Sequence, residues 1–174
     1  MRTLIHGIST VWIVALAHGE SANGAGADNR QEVVKPGPPD HCTLLTEAEA
    51  EAIIGKPLNA PQTQPNGDCW YMKEGGIDFG DVVLMLTVQP LQIRSKTQFT
   101  DMVMEQAEKM NEAMKKAGMK EGGIEAEPVQ GVGDAAYYLD PSLLVLIGDR
   151  VLNIVAPRSE AVLVAAKALG RLRS

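Results

Sequence analysis

Three apolar runs near the carboxyl end of the chain, separated by two tight turns, constrain the fold more than any other feature. The runs are residues 135–139, 143–147 and 151–155, and the turns are residues 140–141 and 148–150. Strands that are joined by connections this short pair antiparallel. The second turn begins with a glycine, which can adopt the positive φ that a tight hairpin needs. This part of the chain is therefore predicted to form an antiparallel sheet.

Two earlier segments have the composition of strands. Residues 69–72 are short and β-prone, and residues 81–89 are apolar on both alternating faces. The second pattern predicts a strand inside the sheet that ends at Pro90 and has a helix layer on one side.

Three segments have the start signals and the spacing of helices. Residues 46–49 form a capping box ahead of a short alanine-rich run that stops at Gly55. Ser95 begins a long amphipathic segment that extends to Gly118. Ser159 is expected to cap a last helix with one apolar stripe.

The predicted order of elements is α-β-β-α-β-β-β-α. Helices with a single apolar stripe need a sheet to cover, and strands with short connections supply an antiparallel one. We therefore expect an α+β fold in which about three helices pack on one antiparallel sheet of five to seven strands.

The first forty residues differ from the rest of the chain. Arg2 precedes an apolar run that ends in a small-x-small triplet, which is typical of an export signal cleaved after Ala17. Retention of this run as an anchor is the alternative. The sequence predicts a signal peptide at 1–17, a flexible linker rich in Gly and Pro at 18–40, and a single domain at 41–174. This organisation implies a periplasmic or extracellular protein without a membrane span once the signal is removed.

The chain contains two cysteines, Cys42 and Cys69, and both fall in the predicted domain. An even number of cysteines in an oxidising compartment favours a single disulfide bond. A reactive thiol is the alternative, because His41 stands next to Cys42.

The charge of the chain excludes two classes of partner. The sequence has 16 Lys and Arg residues against 22 Asp and Glu residues, a net charge of −6. Neutralising nucleic-acid phosphates needs a clustered basic surface, and so does binding to an anionic membrane through a polybasic segment. Neither class of partner fits this composition.

Histidine limits the catalytic chemistry of the predicted domain. Of the three histidines, His41 alone falls within 41–174, so a catalytic triad would have to use it, and a His-rich metal site cannot be assembled. Several aspartates occupy predicted turns, where Asp is favoured for local hydrogen bonding: Asp78, Asp81, Asp134, Asp140 and Asp149. We assign no catalytic, cofactor-binding or metal-binding residue, and expect no cofactor.

Methionine is abundant in the long predicted helix and its end: Met102, Met104, Met110, Met114 and Met119. Thioether sulfurs can bind Cu(I), so copper binding is one hypothesis. The spacing of Met102, Met110 and Met114 with Phe99 and Val103 favours packing in the core instead.

Several short motifs resemble those of small exported bacterial domains of unknown function. They are residues 42–46 ahead of the short helix, residues 69–71 around the second cysteine, residues 131–137, and the late hairpin. The chain resembles secreted actinobacterial lipoprotein domains and the PsbP-like α/β/α sandwich over about residues 41–172. It lacks the anchor cysteine of the lipoproteins. The resemblance implies a fold and a compartment, and it supplies no catalytic residue.

The sequence therefore favours an exported, non-enzymatic domain that binds another protein or a small ligand. The first alternative is an extracytoplasmic, hydrolase-type enzyme that uses His41 with an acidic partner. The second is copper binding through the helix methionines.

Overall fold

The computed structural model describes residues 40–91, 95–118 and 123–173, which belong to one compact unit. The predicted signal peptide at 1–17 and all of the predicted linker except Asp40 lie outside the described residues.

The described residues contain three α-helices, seven β-strands and two short 3-10 helices. The α-helices are α1 (Glu47–Ile54), α2 (Lys96–Lys116) and α3 (Arg158–Leu172). The strands are β1 (Gln62–Thr63), β2 (Cys69–Met72), β3 (Val82–Pro90), β4 (Glu127–Pro128), β5 (Ala135–Leu139), β6 (Ser142–Ile147) and β7 (Arg150–Val155). The 3-10 helices are His41–Leu44 and Phe79–Asp81.

The strands form one antiparallel sheet in the order β1-β2-β3-β7-β6-β5-β4. The predicted α+β class is confirmed, and the strand number is at the upper end of the predicted five to seven. The element order differs from the predicted one by β1 and β4, which have two residues each and form the two edges. Strands this short leave few unpaired main-chain groups at the edges.

The β6 strand is buried on both faces of the sheet. On one face Leu143 and Val145 join the larger apolar cluster, to which α3 contributes Val164 and Ala165. On the other face Leu144 packs in a smaller cluster with residues from α2. The sheet therefore has helices on both faces, and β3 contributes Leu84, Leu86 and Val88 to the larger cluster.

The predicted start signals are correct for two of the three helices. Thr46 and Glu49 form the reciprocal capping box of α1, and Ser95 accepts a hydrogen bond from the Gln98 N–H at the start of α2. The prediction for Ser159 is wrong, because α3 begins at Arg158, directly after Pro157 and two residues earlier than a Ser159 cap would start it, with no side-chain cap. The Ser159 hydroxyl donates instead to the Glu160 carboxylate at 2.5 Å.

A polar network joins the ends of α1 and α3. Arg171 donates to both carboxylate oxygens of Glu49, at 2.8 and 3.0 Å, and to the Leu44 carbonyl oxygen at 2.8 Å. The adjacent carbonyl of Leu45 accepts a buried hydrogen bond of 2.5 Å from the Tyr71 hydroxyl on β2. Glu49, which is part of the capping box of α1, thus also binds Arg171 in the last turn of α3.

The Glu49 pair makes the stability of the protein depend on pH in the acid range. The Arg171 guanidinium and the Thr46 N–H lower the pKa of Glu49 from 4.5 to about 2. Because the native state holds this carboxylate ionised, its stabilisation is complete above pH 4.5 and is lost as the pH falls towards 2.

We expect Glu49→Gln to lower the free energy of unfolding at pH 7 by about 1 kcal/mol, since solvent screens a partly exposed pair. The difference from wild type should shrink below pH 4.5. Urea denaturation between pH 7 and pH 2.5 measures both effects. Glu47→Gln, in the same helical turn but without an ion pair among the described residues, is the control. An equal loss in both variants would contradict the assignment.

The disulfide between Cys42 and Cys69 is present and ties the first 3-10 helix to β2, with a Cα–Cα distance of 5.0 Å. The predicted bond is thereby confirmed, and no free cysteine is left in the described residues. The bond joins residues 27 positions apart.

Cys42→Ala with Cys69→Ala should lower the free energy of unfolding by roughly 3.6 kcal/mol, because the unfolded chain regains the entropy of the opened loop. Denaturant titration of the double variant against the oxidised wild type measures this loss. Recovery of two alkylatable thiols from the native, unreduced protein would contradict the bond.

Candidate functional site

An apolar groove of about 410 Å³ opens on the sheet, where β3 and β7 meet the β5–β6 turn. Its lining consists of Phe79, Val82, Val83, Leu84, Met85, Asp140, Pro141, Val155, Ala156 and Pro157. Asp140 is the single charged side chain in this lining. A volume of this size falls in the range of ligand-binding clefts.

The groove exists because α2 covers only part of its face of the sheet. Val155 on β7 pairs with Ser142 on β6, so the two side chains lie on the same face of the sheet. Leu144, two residues further along β6, lies on that face as well and packs under α2. On the neighbouring strands of the same face, Met85 pairs with Val155, and Trp70 pairs with Met85. Trp70, Met85 and Val155 are half-buried. This half of the sheet face is therefore left open beside the groove.

Two large apolar side chains are exposed beside the groove, in the loop of residues 73–81. Ile77 is 90% exposed and Phe79 is 69% exposed. The ring of Phe79 meets Trp70 edge-to-face, with centroids 5.3 Å apart and planes at 70°. Phe79 thus extends the apolar surface from the sheet into the loop.

The 73–81 loop is held by its own polar groups. Lys73 pairs with Asp81 at 2.5 Å, and the other Asp81 oxygen accepts a hydrogen bond of 2.9 Å from the Ile77 N–H. Asp78 caps the 3-10 helix by accepting from the Gly80 N–H at 2.9 Å. Lys73, and after it the hydrogen bond from the Ile77 N–H, lower the pKa of Asp81. Because the loop is fixed in this way, the exposure of its apolar side chains is a property of the fold.

The base of the same loop is fixed from outside. The Asn59 amide donates to the Gly76 carbonyl oxygen at 3.1 Å and accepts from the Gly75 N–H at 3.2 Å. A Cβ on Gly76 would lie 2.6 Å from the Cβ of Asp81, so this position requires glycine. The sequence Gly75-Gly76 therefore allows the backbone at Gly76 to lie close to the Asp81 side chain.

Acidic groups flank the groove. Asp78 lies between the two exposed apolar residues, and Asp140 lines the groove at the β5–β6 turn, where it accepts a hydrogen bond of 3.2 Å from the Tyr138 hydroxyl. Neither carboxylate forms an ion pair with a described residue. The cations on the adjoining segments, Lys73 and Arg158, pair with Asp81 and Glu127.

His41 has a structural position rather than a place in the groove. It is 5% exposed, and its Nδ1 accepts a hydrogen bond of 3.3 Å from the Val88 N–H. The neighbouring strand β2 begins at Cys69, opposite Leu86, and does not reach as far as Val88, so the imidazole supplies the acceptor for the Val88 N–H of β3. Its Nε2 is buried and has no hydrogen-bond partner among the described residues.

The other candidate residues are not brought together at one site. Asp134 accepts from the Gly148 N–H at 2.7 Å, and Asp149 lies beside Arg150. In the described ranges, no three His, Cys, Asp or Glu side chains are grouped as candidate metal ligands.

The expectation that methionines fill the core under α2 is wrong in part. The fully buried residues of this helix are Phe99, Val103 and Ala107, whereas Met102, Met110 and Met114 are half-buried and Met104 is exposed. The carboxyl-terminal half of α2 is held by residues 123–125 rather than by the sheet, because Asn111 exchanges two hydrogen bonds with Ile124. Met119 lies outside the described residues.

Comparison with protein-family models, with curated proteins and with solved structures gives no match. Among the helices of the described ranges, none is both long enough and apolar enough to cross a membrane. The groove and the 73–81 loop are therefore the features from which a function is inferred.

Sequence reasoning missed Ile77 and Phe79, because they lie between the strands predicted at 69–72 and 81–89, where no element was assigned. The available signal was a pair of large apolar residues, separated by one aspartate, inside a short segment rich in Gly and Asp. Such a segment is usually polar, so its apolar members need an explanation.

Burial makes His41 a source of pH-dependent stability near neutrality. Desolvation lowers its pKa below 6.5, opposed in part by the charges of Asp68 and Asp40. Since the native state keeps the ring neutral, the stabilisation is complete above pH 6.5 and is lost as the pH falls through the lowered native pKa.

We expect the free energy of unfolding of wild type to decrease as the pH is lowered from about 7.5 to 5, and this decrease to be much smaller in His41→Asn. Asparagine supplies an acceptor for Val88 without titrating. Chemical denaturation at closely spaced pH values measures the two slopes. Identical slopes would show that His41 does not carry this dependence.

Proposed function

We propose that this protein is an exported, non-enzymatic domain that binds a partner at the apolar groove and the adjoining Ile77 and Phe79 side chains. The observation that carries the proposal is the exposure of two large apolar residues on a loop that is fixed by hydrogen bonds and an ion pair. Full burial of such a side chain contributes about 1.5–3 kcal/mol, so a partner that covers both gains substantially.

Pre-organisation supports the same reading. A partner that binds a fixed loop does not have to order it, which lowers the entropy lost on association. The bracing by Asn59, Asp78 and Asp81 supplies this order before binding.

Export is supported by the sequence rather than by the groove. The predicted signal peptide at 1–17 favours a periplasmic or extracellular location, and the Cys42–Cys69 disulfide is compatible with an oxidising compartment. The resemblance to secreted lipoprotein domains points to the same compartment.

The two alternative functions gain no site from the geometry. His41 is buried and accepts a main-chain hydrogen bond, which suits a structural role better than that of a general base. The methionines of α2 differ in exposure and do not line one cavity, which does not favour copper binding.

The proposal is tested with the full chain and the neutral apolar dye Nile red. We expect wild type to enhance the dye fluorescence, and Ile77→Ser with Phe79→Ser to reduce this enhancement several-fold, because the double variant removes the exposed apolar surface. Leu163→Ser, which changes a 53% exposed leucine on α3, is the matched control and should keep the wild-type signal.

Surface substitutions of this kind change stability by about 0.5 kcal/mol or less, so thermal unfolding verifies that both variants remain folded. Equal dye binding by the double variant and wild type would contradict a site at the groove. Hydrolysis of an ester or amide by wild type that His41→Asn abolishes would contradict the non-enzymatic assignment.

A further inference from the structure

We propose, resting on the function above, that the groove binds an extended segment of a partner protein whose large apolar side chains are flanked by Lys or Arg. The inference joins three observations: the open shape of the groove, the two unpaired carboxylates beside it, and the short edges of the sheet.

The shape of the groove favours a chain segment over a small ligand. Small-molecule sites bury most of the ligand surface, about 70–90%. This groove is open to solvent rather than enclosed, and Ile77 stands almost fully exposed outside its lining. A ligand that fits within the lining leaves Ile77 in water, whereas a segment that crosses the 73–81 loop covers Ile77 and the groove together.

The acidic residues near the groove indicate which residues should flank the apolar side chains of the partner segment. Asp78 lies between Ile77 and Phe79 in the 73–81 loop, and Asp140 lines the groove at the β5–β6 turn, so each of these two segments of the apolar surface carries a carboxylate. Lys73 and Arg158 form their salt bridges with Asp81 and Glu127, so Asp78 and Asp140 make no salt bridge with a described residue, although the charge of Lys73 still acts on Asp78. A segment with cationic residues on both sides of its apolar core is complementary to this arrangement.

The sheet edges favour side-chain insertion over strand addition. The edge strands β1 and β4 have two residues each, and β4 contains Pro128, which has no N–H to donate. An added strand would therefore gain few main-chain hydrogen bonds at either edge. Affinity has to come from apolar side chains in the groove and from the charges around it.

A membrane surface is a poorer occupant than a peptide segment. Insertion of Ile77 and Phe79 into a bilayer would carry Asp78 towards the lipid, and the chain as a whole has a net charge of −6. Both features oppose contact with anionic lipid headgroups.

The test uses the full chain and three capped heptapeptides. The first is Lys-Ser-Leu-Phe-Leu-Ser-Lys, the second has Glu at both ends instead of Lys, and the third keeps Lys at both ends but has Ser and Gly in place of the three apolar residues. Two-dimensional amide NMR titrations give the affinity and map the contact surface for each peptide.

We expect the first peptide to bind at least about fivefold more tightly than the second at low salt, with the ratio falling as salt is added, because salt screens the exposed ion pairs. The third peptide should not bind. The shifts should centre on residues 76–85 and 140–142, and Ile77→Ser with Phe79→Ser should abolish them.

Asp78→Asn with Asp140→Asn should bring the affinity ratio of the first two peptides close to one. Asparagine retains the acceptors for the Gly80 N–H and the Tyr138 hydroxyl, so the loop and the wall keep their hydrogen bonds. Asp149→Asn, at the exposed β6–β7 turn, is the matched control and should leave the ratio unchanged.

Several outcomes overturn the inference. Equal affinity for the first two peptides would show that the site does not select its partner by charge. A dissociation constant above about 1 mM for both peptides would show that the groove does not bind a peptide segment. Co-sedimentation with phosphatidylcholine and phosphatidylglycerol vesicles that depends on Ile77 and Phe79 assigns the surface to a membrane instead. If Nile red binds at the groove while no peptide does, the proposed function stands and this inference fails; if neither binds, both fail.

Discussion

The burial of β6 on both faces is the constraint on which the rest of this structure depends. Leu143 and Val145 need apolar cover on one side and Leu144 and Leu146 need it on the other, so the sheet cannot be stable with a single helix layer. The α3 helix supplies cover on the first side and α2 on the second. The order of the sheet follows, because β5, β6 and β7 are joined by tight turns and must lie side by side.

The two helix layers are fastened unequally, and the groove results from this difference. On the α3 side, the Glu49–Arg171 pair ties α1 to α3, and the disulfide and the Tyr71 hydroxyl tie the segment before α1 to β2. On the other side, α2 packs over β5 and β6 through Phe99, Val103 and Ala107 and does not extend over Trp70 and Met85. The protein thus completes its core on one face and leaves an apolar area on the other.

Local rules predicted much of the fold. The capping box at Thr46, the cap at Ser95, the hairpin at Gly148 and the Cys42–Cys69 bond depend on short-range chemistry that is visible in the sequence. The cap at Ser159 failed because Pro157, with its fixed φ, precedes the helix and begins it two residues earlier than a serine cap would.

The candidate site could not be predicted in the same way. Whether an apolar residue is buried depends on what packs over it, and no periodicity marks Ile77 and Phe79 in a loop. The methionines of α2 are the opposite case, because a sequence pattern predicts their burial and the structure leaves them partly exposed. Their helical spacing is that of a buried stripe, but the sheet supports only the first half of the helix. Tertiary placement, which local patterns do not contain, decides both cases.

The energetics of the groove indicate a reversible association. Covering both Ile77 and Phe79 contributes about 3–6 kcal/mol to the free energy of binding. The loss of translational and rotational freedom on association opposes this by about 4 kcal/mol or more. Binding therefore needs the additional apolar contacts of the groove and gains from the fixed 73–81 loop, which has little entropy left to lose. In the proposed complex, the two exposed carboxylates add only modest affinity, and both would repel an acidic partner. The proposed site would therefore select its partner by charge and release it readily.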